Sequence, residues 1–253
     1  MIAIFTGLPG SGKSALLART VVGVLYRNER WYKKQYSRWL KKCVEIDKYS
    51  VSHLEYPPEP QRRMVYTNLK LSAKVEERYY HYIAYWTDLR QLTPLRDVDV
   101  VIDEVATYFD SRLWETLSLE MRRWLAQHRK FGIEIYGTAQ DFAQVDKAFR
   151  RLTSDLIYLR KLVGTRDISP TRPAPKWVFV VSWKRYLDPT TYDEQKSKFA
   201  SKDFVPHFMV ITRQDVEIFD TRAEVVLSKA LPLKHIERVC ENNNCSFHKV
   251  QHV

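Results

Sequence analysis

The chain has 253 residues, 45% of them hydrophobic, enough to bury the core of one large α/β domain. A formal net charge of +11 suits a polyanionic partner, nucleic acid or an acidic membrane surface, while three cysteines (Cys43, Cys240, Cys245) are too few for a disulfide framework and suggest a reducing compartment. No uncharged apolar run approaches the ~20 residues that span a bilayer, and a glycine loop opening at residue 7 leaves no room for a signal peptide.

Taken in chain order, residues 2–6 (Ile-Ala-Ile-Phe-Thr) read as a buried strand. Gly7-Leu8-Pro9-Gly10-Ser11-Gly12-Lys13-Ser14 follows and matches G-x-x-x-x-G-K-[ST]. From Ala15 the spacing is helical, and the pattern runs to about Lys42. Strand, glycine loop and helix N-terminus together make an anion site, because backbone N–H groups and the helix dipole both favour negative charge there. Lys13 is expected to reach the β- and γ-phosphates of ATP, and the Ser14 hydroxyl to hold Mg²⁺.

Residues 26–42 read YRNERWYKKQYSRWLKK, with seven Lys or Arg and one acid. Leu25, Tyr32, Tyr36, Trp39 and Leu40 fall near one helical face, with cations around the rest. Three readings stand open: packing of the aromatic stripe on the domain, a membrane-surface helix, or a nucleic-acid contact. Tyr56-Pro57-Pro58-Glu59-Pro60 then reads as an extended connector.

Residues 64–67 form a second strand and 98–103 a third, apolar and β-branched, closing on Asp103-Glu104. A carboxylate pair ending a strand suits nucleotide hydrolysis. Asp103 is placed beside Mg²⁺, and Glu104 to orient or deprotonate the attacking water. A helix is expected over 113–129, and a fourth strand over 133–138 leads to Gly137-Thr138-Ala139-Gln140. Ligands of open α/β sheets bind off the carboxyl ends of strands, so Gln140 can contact the γ-phosphate or the water. Arg122, Arg123 and Arg129 on the helix, and Arg150 and Arg151 after the fourth strand, are candidate fingers from a neighbouring subunit. The sequence has no Asn-Lys-x-Asp stretch of the kind that reads guanine, and the acidic pair fits water activation better than a small-molecule kinase.

A fifth strand covers 155–159, and a proline-rich break covers 169–175. Strand-like runs at 177–183, 208–212 and 216–219 look antiparallel, with a turn at Arg213-Gln214 between the last two. The alternation predicts an α/β fold with a mostly parallel sheet flanked by helices and short antiparallel strands near the C-terminus. One ATPase domain over 1–230, with 26–60 inserted, is followed by a tail over 231–253. Cys240, Cys245, His248 and His252 in that tail are too cramped for a recognised zinc motif.

Several stretches, in order, resemble the zonula occludens toxin-like assembly ATPases of filamentous phages. They are the glycine loop with its strand, Val65-Tyr66-Thr67-Asn68-Leu69, Ile102-Asp103-Glu104-Val105, and His128-Arg129-Lys130-Phe131-Gly132 leading to Thr138-Ala139-Gln140. Val145-Asp146-Lys147-Ala148-Phe149-Arg150-Arg151 and Ile218-Phe219-Asp220-Thr221 complete the set. The resemblance implies a RecA-like P-loop NTPase near the HerA/FtsK motors, assembled as a homo-oligomeric ring such as a hexamer. It implies work on viral DNA or phage coat proteins, on the cytoplasmic side of the host inner membrane or with the virion. It also makes Arg129 and Arg150 the better finger candidates and keeps Lys13, Ser14, Asp103, Glu104 and Gln140 in the roles given above, with residues 7–15 as the nucleotide cradle. Members commonly carry a membrane-spanning helix after the ATPase domain. None occurs in these 253 residues, so membrane spanning and the activities of an outer segment are not expected of them. A different class of function, an ATP-binding switch or membrane-associated scaffold that hydrolyses slowly, would use the same loop.

Overall fold

The computed structural model describes residues 1–48, 56–112, 116–164, 177–186 and 207–219. The proline-rich break, the expected boundary near residue 230 and the cysteine- and histidine-bearing tail lie outside them. The strands are β1 (Ile2–Thr6), β2 (Val65–Thr67), β3 (Ile83–Tyr85), β4 (Asp99–Ile102), β5 (Glu134–Ala139), β6 (Asp155–Gly164), β7 (Trp177–Tyr186) and β8 (His207–Thr212). They form one sheet in the order β3-β2-β4-β5-β1-β6-β7-β8. Every pairing from β3 to β6 is parallel, and β7 and β8 add to the β6 edge antiparallel. This is the RecA-like α/β architecture that the sequence implies.

Parallel strands in the middle of such a sheet are covered on both faces. Every residue of β1 is accordingly buried. Ile2 and Ile4 join one core with Val100, Ile102, Ile135, Trp124 and Phe149, while Ala3 and Phe5 join a second with Val65, Val101 and Tyr136. Alternate side chains of a strand point to opposite faces, so one five-residue run serves both cores.

The second core is roofed by α1 (Lys13–Lys48). Leu17, Val21 and Leu25 are fully buried, and Ala18 and Val24 complete a stripe at helical spacing. Burying each of the larger aliphatic side chains stabilises the fold by about 1.5–3 kcal/mol. Polar residues then fix where the helix leaves the sheet. Asn28 Nδ2 donates to Asp99 Oδ2 at 2.7 Å, and Arg63 donates to both Asp99 oxygens at 2.9 and 3.0 Å. Asp99 is completely buried, and this pairing offsets the cost of placing a carboxylate there. Arg27 reaches Glu134 at 3.1 Å, and Tyr136 donates to the same carboxylate at 2.6 Å. Past this cluster, at the N-terminal ends of β4 and β5, α1 runs on beyond the sheet.

Several elements differ from the sequence expectation. The first helix continues to Lys48 rather than ending near Lys42. The helix expected over 113–129 is α3 (Leu119–Gln127), following α2 (Ala73–Arg78). Its start is set by Ser118, whose hydroxyl accepts from Met121 N at 3.1 Å. Of the strand expected over 216–219, Val216 and Glu217 instead close α5 (Arg213–Glu217), after α4 (Lys147–Leu152), and Phe219 keeps an isolated antiparallel bridge to Leu71. Thr212 and Asp215 form a reciprocal capping box that starts a helix where apolar alternation suggested a strand. Helices α2 and α4 have no counterpart among the expected elements, and neither has strand β3. Its three half-buried residues are too few to show a period.

Candidate active site

Strands β1, β4 and β5 end at the same edge of the sheet. Register pairs Thr6 with Ala139 and Ile102 with Gly137, so the glycine loop, the carboxylates and the segment around Gln140 follow one another across that edge. β5 lies between the loop strand and the carboxylate strand.

The glycine loop adopts backbone that side chains resist. Gly7, Gly10 and Gly12 have φ of 152°, 74° and 89°. At Gly7 a Cβ would also lie 2.3 Å from the Leu159 carbonyl oxygen and 3.0 Å from Ser11 Oγ, so the position admits no side chain. Leu8, Pro9 and Gly10 face solvent, while Ser11 is buried. Ser11 Oγ and Thr6 Oγ1 have no hydrogen-bond partner among the described residues. Buried hydroxyls are nearly always satisfied, so these two mark polar atoms set for a ligand. The N–H groups of Lys13, Ser14 and Ala15 open α1 with no carbonyl four residues back in the helix to accept them. Leu16 N is already satisfied by the Gly12 carbonyl at 3.0 Å, and the Ala15 methyl packs into the core.

Lys13 is only 8% exposed, and its ammonium donates to the Gly7 and Leu8 carbonyl oxygens at 2.7 and 3.2 Å. Burial pushes its pKa below the ordinary lysine value, against the pull of Glu104 and Asp103. A desolvated cation is strongly attracted to phosphate oxygens.

The carboxylates are held by residues to which the sequence reading gives no role. Thr138 Oγ1 donates to Asp103 Oδ1 at 2.6 Å and accepts from Glu104 N at 2.9 Å. Asn68, just past β2, accepts from Asp103 N at 2.7 Å and donates to Asp103 O at 3.1 Å. Between these clamps Glu104 adopts a left-handed conformation, φ 56° and ψ 68°. A non-glycine residue there costs on the order of 1–2 kcal/mol, which the hydrogen bonds offset. Such strain clusters at functional sites. Gly137 lets β5 approach closely enough, since a Cβ there would lie 2.4 Å from Val105 Cγ2 and 3.0 Å from the Ile102 carbonyl oxygen. No chemical motif announces Asn68, which stands out only within the family-like stretch 65–69. Thr138 is legible only as part of Gly-Thr-Ala-Gln.

Ser14 Oγ donates to Asp103 Oδ1 at 3.5 Å, across 89 residues of sequence. A hydroxyl and a carboxylate side by side are hard oxygen donors of the type Mg²⁺ takes, so the residues fit that ion. The backbone N–H of Gln140 donates to Glu104 Oε1 at 3.3 Å, so the chain at Gln140 lies beside that carboxylate. Arg129 is not brought to the site. Its guanidinium donates to Ser154 Oγ at 3.0 Å, and Ser154 N donates to the carbonyl of Ile2, at the opposite end of β1. Arg150 lies on α4, which precedes β6.

The sequence model for zonular occludens toxin (Zot) matches residues 1–171. The chain belongs to the zonular occludens toxin family. Among solved structures, this Zot-family chain is similar to the N-terminal domain of zonular occludens toxin from Neisseria meningitidis. That match has 16% identity and a TM-score of 0.45, covering 87% of this chain and 98% of the other. It is also similar to the genome packaging NTPase B204 of Sulfolobus turreted icosahedral virus 2 in complex with AMP, at 9% identity, coverage of 83% and 96%, and a TM-score of 0.41. A KaiC-like protein from Pyrococcus horikoshii OT3 follows at 11% identity, 83% coverage of both chains and a TM-score of 0.36. At such identities and scores none of them assigns a role to a residue of the Zot-family chain. No curated protein matches it.

Proposed function

We propose that this chain is a Mg²⁺-dependent ATPase that works as a ring-forming motor in phage virion assembly, moving or packaging viral DNA at the cytoplasmic face of the host membrane. The observation that carries the hydrolytic part is the meeting of Lys13 and Ser14 with Asp103 and Glu104 at one sheet edge. Lys13 and the loop N–H groups bind the β- and γ-phosphates. Ser14 and Asp103 hold Mg²⁺, which when bound neutralises charge on the phosphate oxygens. Glu104 takes the proton of the attacking water, and the segment at Gln140 keeps its carboxylate oriented. Family membership supports the viral setting, and the net charge of +11 supports a polyanionic cargo.

Steady-state ATP turnover of wild type and Lys13→Ala, with and without DNA, is the test. Removing the cation is expected to cost on the order of 10²–10³ in turnover, the scale of removing one charge-stabilising donor. Wild-type turnover in the variant would overturn the assignment. Hydrolysis that DNA fails to stimulate would favour the switch or scaffold instead of the motor.

A further inference from the structure

The nucleotide site makes no use of the far half of α1. At ~1.5 Å per residue, Arg30 stands about 24 Å along the helix from Ser14, and Lys42 about 42 Å. The aromatic stripe of this half is engaged within the chain. Tyr32, Tyr36 and Trp39 stack in succession, with centroids 5.7 and 5.4 Å apart. The segment returning toward β2 covers them: Trp39 Nε1 donates to the Pro57 carbonyl at 2.7 Å, and Arg62 sits 4.7 Å from the Tyr32 ring centre. An interfacial helix needs its apolar face free to enter the lipid boundary. Here that face is occupied by residues 57–62.

The opposite face is cationic and open. At ~100° per residue, Arg30, Lys34, Arg38 and Lys41, spaced four, four and three apart, form one stripe with Trp31 and Lys42 at its margin. All six are exposed, Trp31 at 49%. None of the stripe's cations makes an ion pair among the described residues, whereas Lys33, off the stripe, is held by Glu29 at 2.6 Å. Glu45 is the exposed acid nearest the stripe's end. A straight row of solvated cations about 16 Å long, lying on a rigid helix, complements a phosphate backbone.

We propose that this stripe is a DNA-binding surface, with Arg30, Lys34, Arg38 and Lys41 on phosphates and Trp31 placed to stack on a base. The inference rests on the proposed function only in taking DNA as the cargo. Its test needs no hydrolysis. Binding of the full chain to labelled single-stranded and duplex oligonucleotides is measured across about 50–200 mM salt, beside binding to phosphatidylserine vesicles and basal ATP turnover. Replacing all four cations with Gln is expected to lower affinity and shrink the slope of log K against log salt by about 3, at ~0.7–0.9 for each phosphate no longer neutralised. Lys33→Gln serves as the off-stripe control and leaves the slope unchanged. If the quadruple variant does not fold by circular dichroism, Lys34→Gln with Arg38→Gln, both exposed, is expected to reduce the slope about half as much. The inference is overturned if wild type does not bind DNA, if a folded variant binds as wild type does, or if only vesicle binding falls, Leu40 and Val44 being exposed beside the stripe. A reduced slope in a chain without ATP turnover would uphold this surface and refute the ATPase. Normal turnover with no DNA binding would do the reverse.

Discussion

Glu104 is the residue whose placement demands most of its neighbours. It bears the carboxylate proposed to take the proton of water and sits in a left-handed conformation between the Asn68 and Thr138 hydrogen bonds. Glu104→Gln keeps the shape and the Gln140 hydrogen bond but removes the base, so nucleotide binding is expected to hold while hydrolysis falls ~10²–10⁴-fold. A binding assay with single-turnover kinetics separates the two, and turnover within about threefold of wild type would remove Glu104 from that role. His128 makes a different prediction. It is 2% exposed, and its Nδ1 lies 2.8 Å from the Leu125 carbonyl, which requires that nitrogen to carry the proton of the neutral ring. Burial, with smaller contributions from the N-terminal ammonium and Arg129, holds its pKa below the ordinary histidine value despite the Leu125 hydrogen bond. The unfolded chain therefore takes up this proton first as pH falls. Stability is expected to drop as pH falls below about 6.5 toward the lower folded value, where the loss is complete. In His128→Asn that limb should flatten in urea midpoints measured against pH. An unchanged limb would assign the acid sensitivity to other groups.

Among the elements, α1 shows most clearly how local chemistry and packing divide the work. Its first half is fixed by aliphatic burial and by Asn28 on Asp99, its second half by aromatic stacking and residues 57–62. Gly23 interrupts neither half. It is exposed, and a Cβ built there meets nothing within 4 Å. Gly23→Ala should therefore stabilise the protein by about 0.4–1 kcal/mol through helix propensity and a less free unfolded chain, with ATP turnover unchanged. Chemical denaturation measures it. A destabilised variant would overturn the reading of this turn as open. At the other extreme, α5 is only five residues long and exists because Thr212 and Asp215 cap each other. The pattern Thr-x-x-Asp is legible in the sequence, but the apolar alternation after it points to a strand.

At the scale of the whole molecule, the two ends of the sheet divide the functional surface. The glycine loop and carboxylates lie at the carboxyl ends of β1, β4 and β5, while Arg129 and the exit of α1 lie at the amino ends. Five residues of strand separate those ends by ~17 Å, so Arg129 does not reach its own chain's phosphates. The proposed finger role thus requires a neighbouring subunit. Mixing Arg129→Ala or Arg150→Ala protein with Glu104→Gln protein should restore turnover well above the level of either alone, because a mixed interface pairs an intact finger with an intact base. An arginine finger contributes ~10³–10⁵ in rate, so even partial complementation is measurable. Activity that never rises above the two parents would rule out action in trans.

The candidate nucleotide site was legible in the sequence alone because its signals are local. Glycines at 7, 10 and 12 are required by backbone conformation, and Lys13, Ser14, Asp103 and Glu104 sit at fixed offsets from apolar runs that must be buried strands. Composition and periodicity likewise gave the mostly parallel sheet. Tertiary structure alone decided that β5 inserts between β1 and β4, which puts the Thr138 hydroxyl between Asp103 and Glu104. It alone made Asn68 a clamp, turned Tyr32, Tyr36 and Trp39 of α1 toward residues 57–62 and left Trp31 and the stripe of cations outside. Strand order and long-range hydrogen bonds join residues tens of positions apart. No window of sequence holds both partners, and only folding brings them within reach.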